Sequence, residues 1–230
     1  MADVYLIDVA FADIIPATEE QIVQEANPSA VFSHLTALVH HGLTDQLPSQ
    51  VQVTHYADPQ PVRTPLGTSP EEWHELEPPP ARRPKFVGEV PVRWYTTKGE
   101  WDFGWEVGYS QGQPVYVTDA ERTLIDILRA PAEVGGAVLV FRAWRQAGPA
   151  LRVGRLVEYV DRFDQPVLRQ RVGYLLGQLG HDHPRMAEWR AKLQRGGSLR
   201  LIASEPYARE YSPEWNLSLN VPPAVLAELH

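Results

Sequence analysis

The chain has 230 residues, which fits one large domain or two modest ones, and its 43% hydrophobic content excludes wholesale disorder. It has no cysteine, which excludes disulfides, thiolate metal sites and cysteine nucleophiles, and no apolar run approaches the roughly 18–20 residues that span a bilayer, so we expect a cytoplasmic protein with no membrane partner. The formal net charge of −8 argues against a chain that coats nucleic acid along its whole length.

The first part of the chain predicts strands on either side of one helix. The pair Asn27-Pro28 is typical of a helix start, with a capping side chain followed by proline at the first helical position. Apolar residues spaced three and four apart, beginning at Val31, would form one face of this helix, and Gly42 would end it. The flanking strands are predicted at residues 4–7 and 51–55.

Residues 57–84 are the weakest stretch for regular structure, because they hold eight prolines and few apolar residues that could pack. We predict an extended surface excursion here. Strands resume directly after it, with glycine-bearing turns around Gly99 and Gly112. The three strands that follow are predicted at residues 91–96, 101–109 and 114–117.

The apolar periodicity changes at Thr118 from that of strands to that of helices. Thr118 and Glu121 have the spacing of a capping box, in which each side chain binds an amide that the helix leaves without a partner. Apolar residues at helical spacing, with proline and glycine stops, then predict five helices. These helices begin near residues 119, 136, 153, 166 and 184, and two closing strands are predicted at residues 199–203 and 215–221.

This element order predicts an α+β fold rather than the repeated strand–helix–strand units of a doubly wound sheet. We expect a mixed β-sheet with a block of about five helices packed beside it and a C-terminal strand that returns to the sheet. Residues 1–118 would supply the N-terminal helix and strands, and residues 119–230 the helical block and the closing strands of the same body.

Two groups of histidines have side chains of the kind that bind metals, but their spacing favours another role. His34 and His41 would share one face of the first predicted helix, where a cationic imidazole is favourable near the C-terminus. No third ligand has matching spacing. His181, Asp182 and His183 are adjacent in a predicted turn, where side chains seldom converge on one centre. We therefore predict helix capping and a polar turn, and no metal.

Three carboxylates offer the best case for an enzyme. Glu100, Asp102 and Glu106 resemble the acidic ligands of metal-dependent nucleases, and Asp102 and Glu106 would share a strand face because they are an even number apart. We prefer to interpret them as solvent-facing strand residues, because no Glu-x-Lys element follows. The sequence has neither a glycine-rich phosphate loop nor a Gly-x-Ser-x-Gly elbow. We predict a protein that is not an enzyme, with no catalytic residue and no cofactor.

Four segments, at residues 33–48, 117–126, 171–176 and 215–220, form a recognisable pattern in order along the chain. Residues 33–48 resemble the Ser-Ala-His-Gly-Leu helix of the AbiEi-type antitoxin family, and residues 117–126 resemble the stretch by which that family is most easily recognised. Residues 171–176 resemble its Arg-Leu-Gly-Tyr helix, and residues 215–220 resemble its closing tryptophan-to-asparagine strand. The positions that carry the resemblance are Ser33, His41, Gly42, Thr118, Asp119, Glu121, Arg122, Asp126, Arg171, Gly173, Tyr174, Trp215 and Asn220.

That resemblance implies an antitoxin encoded beside a nucleotidyltransferase toxin, in a prokaryotic toxin–antitoxin system of the abortive-infection type that serves phage defence. Members usually join an N-terminal winged helix-turn-helix, which binds the promoter of their operon, to a C-terminal domain with the antitoxin activity. Only about 27 residues precede the first motif here, too few for a three-helix DNA reader, so we expect weak DNA binding. A promoter-binding transcriptional regulator is the alternative function, with the reader missing from this chain.

The motif residues allow both a structural and a partner-binding interpretation. Arg122 and Asp126 have the spacing of a helical ion pair, and Asp119 in the first turn complements the helix dipole. Gly173 would let two helices approach closely.

The arginines of the helical half form the candidate partner-binding surface. Residues 1–118 carry a net charge of −10, whereas residues 119–200 carry +5. Arg155, Arg162 and Arg169 recur every seven residues and would form one stripe if a single helix ran through them, although a proline between them favours two helices. An outward stripe suits an acidic partner, such as a toxin surface or the RNA it uses. Neutralisation by the acidic first half is the alternative.

Overall fold

The chain divides into two compact units. The first holds residues 1–36 and 47–118, and the second holds residues 37–46 and 119–230. The strand predicted at residues 4–7 lies outside the described residues. The computed structural model describes residues 17–57, 63–74, 76, 81–193 and 199–230.

The first unit contains a six-stranded sheet. Its strands are β1 (Val31–Phe32), β2 (Val51–Tyr56), β3 (Phe86–Val87), β4 (Val90–Thr97), β5 (Trp105–Ser110) and β6 (Gln113–Thr118). Their order across the sheet is β3-β4-β2-β1-β6-β5. β1 runs parallel to β6 and β2 parallel to β4, while the other neighbours are antiparallel. The predicted mixed sheet is confirmed.

The sequence analysis missed the first helix. Helix α1 spans Glu19–Ala26, and Thr18 and Gln21 form a capping box at its start. Asn27, which we predicted at a helix N-terminus, instead ends α1, because its backbone amide donates to the carbonyl of Val23. The predicted helix start was therefore wrong.

Helix α2 spans His34–His40 and crosses the division between the units. Gly42 ends it as predicted: this residue has a φ of +63°, and the amide of Leu43 donates to the carbonyl of Leu38. Val31 lies in β1 rather than on the face of a helix, so the start of the predicted apolar face was wrong.

The strands predicted at residues 51–55, 91–96 and 114–117 are confirmed by β2, β4 and β6. β5 begins later than predicted, because Gly99–Trp101 forms a turn of 3₁₀ helix. A two-residue turn joins β5 to β6, and both its residues, Gln111 and Gly112, have positive φ, which suits the twist of a hairpin.

The second unit contains the helical block, and all five predicted helices are confirmed. Trp144, Phe141 and Leu124 are fully buried within it. Burial of each such side chain contributes roughly 1.5–3 kcal/mol. None of the helices that the structure describes combines the length and the apolar character that a membrane crossing requires. The helices are α3 (Ala120–Arg129), α4 (Ala137–Ala147), α5 (Val153–Phe163), α6 (Pro166–Gln178), α7 (Pro184–Ala191) and a short α8 (Pro223–Leu226).

The C-terminal strand does not return to the six-stranded sheet, so that prediction was wrong. β7 (Leu199–Arg200), β8 (Tyr211–Ser212) and β9 (Leu217–Ser218) form a separate three-stranded sheet in the order β7-β9-β8. The strand predicted at residues 215–221 is shorter in the structure, where β9 spans Leu217–Ser218. The alternation of polar and apolar residues did not indicate one exposed and one buried face, because the polar Ser218 and Asn220 are buried too. The α+β class is confirmed, and the packing of the helices beside the six-stranded sheet stays a prediction.

Trp215 lies directly against the backbone of α6 at Gly173. A Cβ atom added at Gly173 would be 2.2 Å from Cη2 of the Trp215 ring, and the indole is buried. The side-chain amide of Gln170 donates to the carbonyl of Trp215 at 2.8 Å. Gly173 therefore admits an indole ring, and not a second helix as we had predicted.

We expect Gly173→Ala to destabilise the protein by about 2–3 kcal/mol, because the new methyl group would overlap a buried indole. Gly177→Ala in the same helix is the control: no atom lies within 4 Å of its added Cβ, so a gain of about 0.5–1 kcal/mol is expected. Urea denaturation measures both. Equal effects of the two substitutions would contradict the close packing, as would an undiminished cost of Gly173→Ala in a Trp215→Leu background.

Candidate functional site

Asp119 lies at the start of α3, at the centre of a buried hydrogen-bond network. Its Oδ1 accepts from the amide of Arg122 at 2.8 Å, which caps the helix, and its Oδ2 accepts from the Tyr159 hydroxyl at 2.7 Å. Nη1 of Arg155 lies 3.5 Å from the same Oδ2. Burial and the bond to Asp119 raise the pKa of Tyr159. The network joins α3 to α5.

The capping box predicted at Thr118 was wrong, because the helix begins one residue later and Asp119 caps it instead. Glu121 is thereby free to turn towards Arg152. Nε of Arg152 lies 3.1 Å from each carboxylate oxygen of Glu121, and its Nη2 donates to Oε2. Burial raises the pKa of Glu121, but the hydrogen bonds and charge of Arg152 outweigh burial and hold this pKa below its ordinary value.

The predicted ion pair of Arg122 and Asp126 is confirmed, and it is buried. Nε of Arg122 lies 3.0 Å from Oδ2 of Asp126, and the two side chains are 1% and 4% exposed. The guanidinium groups of Arg122 and Arg129 lie 4.7 and 4.6 Å from the centre of the Phe163 ring. Removal of one partner from such a pair leaves an uncompensated buried charge, so these residues hold the fold.

Three arginines at one side of α5 reach solvent, and we call Arg152, Arg155 and Arg162 the α5 basic face. The side chains of Arg152 and Arg155 are 47% and 42% exposed, whereas their partners Glu121 and Asp119 are each 2% exposed. Arg162 is exposed as well. Buried carboxylates therefore hold two outward guanidinium groups in defined positions, which lowers the conformational entropy that they would lose on binding a partner.

The two helices that the proline favoured are confirmed as α5 and α6, so Arg155, Arg162 and Arg169 do not form the stripe of a single helix. Arg169 is 22% exposed and turns towards Asp161 and Asp164, with N–O distances of 3.3 and 2.7 Å. Both carboxylates belong to the same unit as Arg169. The charge of this arginine is therefore compensated within the second unit, and not by the acidic first half of the chain.

Ser33 and His34 pack against strands of the six-stranded sheet. The Thr54 hydroxyl donates to Oγ of Ser33 at 2.8 Å, and Oγ of Ser33 lies 2.9 Å from Nδ1 of His34. The His34 ring lies 4.2 Å from that of Tyr95. His41 lies at the end of α2, where its amide donates to the carbonyl of Ala37, and the common face of His34 and His41 stays a prediction.

The carbonyl of Gly42 accepts a hydrogen bond from the Gln146 side chain, and the residues after Gly42 line a pocket of about 340 Å³. Arg142 in this pocket bonds to Glu228, so its charge is already compensated. This lining does not place a nucleophile beside a base. The pocket residues are Leu43, Thr44, Asp45, Gln46, Gly135, Val138, Leu139, Arg142 and Gln146.

The polar turn predicted at His181, Asp182 and His183 is confirmed. Nε2 of His181 lies 3.0 Å from the carbonyl of Gly148, Asp182 accepts from the amide of His183, and Nδ1 of His183 accepts from the amide of Arg185. Asp182 and His183 thus bind backbone amides of the turn, and His181 binds a backbone carbonyl elsewhere in the second unit.

The predicted shared strand face of Asp102 and Glu106 was also wrong, because Asp102 lies before β5. Asp102 bonds to the Arg63 guanidinium at 2.5 Å and to the Trp105 indole at 2.7 Å, whereas Glu106 is exposed on β5. Glu100 pairs with a neighbouring lysine. Within the part of the chain that the structure describes, no group of three or more potential ligands is placed to hold a metal ion.

The sequence analysis missed the cluster around Arg63. Its guanidinium lies 4.1 Å from the centre of the Trp105 ring, 5.3 Å from that of Tyr116 and 5.9 Å from that of Tyr56, in addition to its pair with Asp102. These contacts hold the early part of the proline-rich stretch, at Arg63, against β5 and β6. No local spacing could have revealed them, because the partners are remote in sequence.

The last motif residues hold the small sheet together. Oδ1 of Asn220 accepts from the amide of Ile202 at 3.0 Å, and its Nδ2 donates to the carbonyls of Ile202 and Glu205. Asn220 therefore connects the segment after β9 to residues 202–205 through three hydrogen bonds.

The motif residues Arg171 and Tyr174 are buried on α6, and burial raises the pKa of Tyr174.

No protein-family model and no curated protein matches the chain. Among solved structures, the crystal structure of the RV2827C protein from Mycobacterium tuberculosis is similar, with 15% sequence identity and a TM-score of 0.48. The match covers 84% of this chain and 63% of that one, so this chain spans less than two thirds of that protein. A likeness of this size carries no argument about function.

The pair of Glu121 and Arg152 predicts a pH-dependent stability. Because the folded pKa of Glu121 lies below its ordinary value of 4.5, the pair stabilises the fold above that pH and this contribution is lost on acidification. We expect Arg152→Met to cost about 2 kcal/mol at pH 7 and less at pH 3.5, because burial without Arg152 raises the pKa of Glu121 in the variant and favours its neutral form at the lower pH.

Chemical denaturation at the two pH values measures the difference. Arg145→Met, at an exposed arginine of α4, is the control and should have a small effect at both. A cost of Arg152→Met that is equal at pH 7 and pH 3.5 would show that loss of packing, and not of charge, is the cause.

Proposed function

We propose that the chain is a cytoplasmic antitoxin that counteracts a nucleotidyltransferase toxin and is not itself an enzyme. The basis is the resemblance of four ordered sequence segments to AbiEi-type antitoxins. One geometric observation supports it most directly. The most recognisable of these segments supplies Asp119 and Glu121, the buried carboxylates that hold Arg155 and Arg152 at the surface.

Such an arrangement suits binding better than catalysis. Asp119 and Glu121 are buried and bonded to arginines, so neither is available as a general base towards a substrate. The guanidinium groups of the α5 basic face are exposed and suited to carboxylates or phosphates of a partner. Complementary charge accelerates association and selects the partner. In this proposal the motif segment matters for function because it positions the basic face.

The acidic partner would be a surface of the toxin or the RNA that it uses. The region of the α5 basic face has a net charge of +5 over residues 119–200. Arg169 in the same region is only 22% exposed, and Arg185 and Arg190 are paired with carboxylates that are themselves about half exposed and would repel an acidic partner. The carboxylates that hold Arg152 and Arg155 are buried instead. We therefore assign partner binding to the α5 basic face, with Arg155 and Arg162 as its main contacts.

The test is a growth-rescue assay in cells that express the nucleotidyltransferase toxin that this proposal expects to be encoded beside the gene. The wild-type chain should restore growth, and Arg155→Gln with Arg162→Gln should lower rescue by about tenfold or more, as loss of charged contacts would. The variant should keep its thermal midpoint nearly unchanged, because Asp119 keeps its bonds to the Tyr159 hydroxyl and the amide of Arg122. The 3.5 Å contact with the half-exposed Arg155 contributes about 1 kcal/mol at most.

A matched pair, Arg83→Gln with Arg145→Gln, removes the same charge at exposed residues that do not belong to α5 and should rescue fully. Absence of rescue by the wild-type chain would refute the antitoxin function. Full rescue by the Arg155 and Arg162 variant would refute only the assignment of the α5 basic face.

A further inference from the structure

Arg171 is a buried arginine for which the described residues provide no carboxylate. It is 8% exposed, and its Nε donates to the carbonyl of Arg200 at 2.9 Å. By contrast Arg122, which is also buried, pairs with Asp126. Nη1 and Nη2 of Arg171 have no hydrogen-bond acceptor among the described residues. A buried guanidinium without an anion is costly, and proteins usually compensate it.

A second arginine increases the positive charge at this position. Arg200 supplies the carbonyl that binds Arg171, and its own Nη1 donates to the carbonyl of Glu205. Neither arginine forms an ion pair within the described residues. Burial and the charge of Arg200 lower the pKa of Arg171 to about 10, so the group stays charged at pH 7. Both arginines donate hydrogen bonds to carbonyl oxygens of the backbone and not to carboxylates. Two such neighbouring cations are suited to bind an external oxyanion.

An exposed aromatic ring lies beside these cations. The Arg200 guanidinium is 5.2 Å from the centre of the Tyr207 ring, and Tyr207 is 61% exposed. Aromatic rings next to arginines bind the bases of nucleotides, whose phosphates the arginines neutralise. The three side chains thus offer both contacts that a nucleotide requires: positive charge for its phosphate and an aromatic face for its base.

We propose that Arg171 and Arg200 bind the phosphate group of a nucleotide and that Tyr207 stacks against its base. The nucleotide is either free or one unit of a single-stranded RNA, because both present the same phosphate and base. The site uses none of the residues of the α5 basic face, and the inference does not rest on the antitoxin function.

The test uses the purified full chain with inorganic phosphate, AMP and a short single-stranded oligoribonucleotide as probes, in calorimetric titration. AMP or the oligoribonucleotide should bind more tightly than phosphate. Arg171→Met should weaken this binding by about tenfold or more, because a charge-assisted bond is lost. Tyr207→Ala should weaken it too, and Tyr207→Phe, which keeps the stacking face, should not. Arg145→Met is the matched control.

Thermal unfolding provides a second readout. Without ligand, Arg171→Met should unfold at or above the wild-type midpoint, because a buried uncompensated charge is removed. The nucleotide should raise the midpoint of the wild type and not that of the variant. If Arg171→Met fails to fold, Arg200→Gln serves in its place, since its backbone carbonyl remains.

Tight binding of AMP alone identifies a free nucleotide as the ligand, and tight binding of the oligoribonucleotide alone identifies RNA. Binding of neither would overturn the proposal, as would undiminished binding by Arg171→Met or Arg200→Gln. Phosphate and AMP of equal affinity would overturn the role of Tyr207.

Discussion

The helical unit depends on the two hydrogen bonds that the buried carboxylate of Asp119 accepts. It caps α3 through the amide of Arg122 and binds the Tyr159 hydroxyl on α5, so one side chain satisfies a helix end and joins two helices. Next to it, Arg122 and Asp126 compensate each other's charge while almost fully buried. These charges cannot be removed singly, because each would leave a partner in a medium that solvates charge poorly.

The sequence predicted elements whose signals are local. The five helices from α3 to α7 follow from apolar periodicity and proline or glycine stops, and Gly42 ends α2 because glycine accepts positive φ. Asn27 misled us because a polar residue before proline is equally compatible with the end of one element and the start of another. The capping box of Thr18 and Gln21 was a better local signal for α1, and we missed it.

Partners that are remote in sequence could not be predicted in the same way. Gly173 and Trp215 belong to different elements, and no pattern near either residue indicates the other. The same holds for Glu121 and Arg152, which are 31 residues apart and lie at the starts of α3 and α5. Such contacts depend on how the helices are arranged, which spacing along one helix does not specify. The candidate residues could therefore be named from the sequence, but their remote partners could not.

The arginines of the second unit divide into three groups by what compensates them. Arg122 and Arg169 are compensated by carboxylates of the chain and serve the fold. Arg152 and Arg155 are held by buried carboxylates but remain about half exposed, so they can meet a partner without being reordered. Arg171 donates a hydrogen bond to a backbone carbonyl, and the described residues provide no carboxylate for it. A count of charges cannot separate these groups, because the distinction lies in the burial and the partner of each guanidinium. Of the two buried arginines that the structure describes, Arg171 is the one without a carboxylate, so its charge is the one that an anion from outside the chain would compensate.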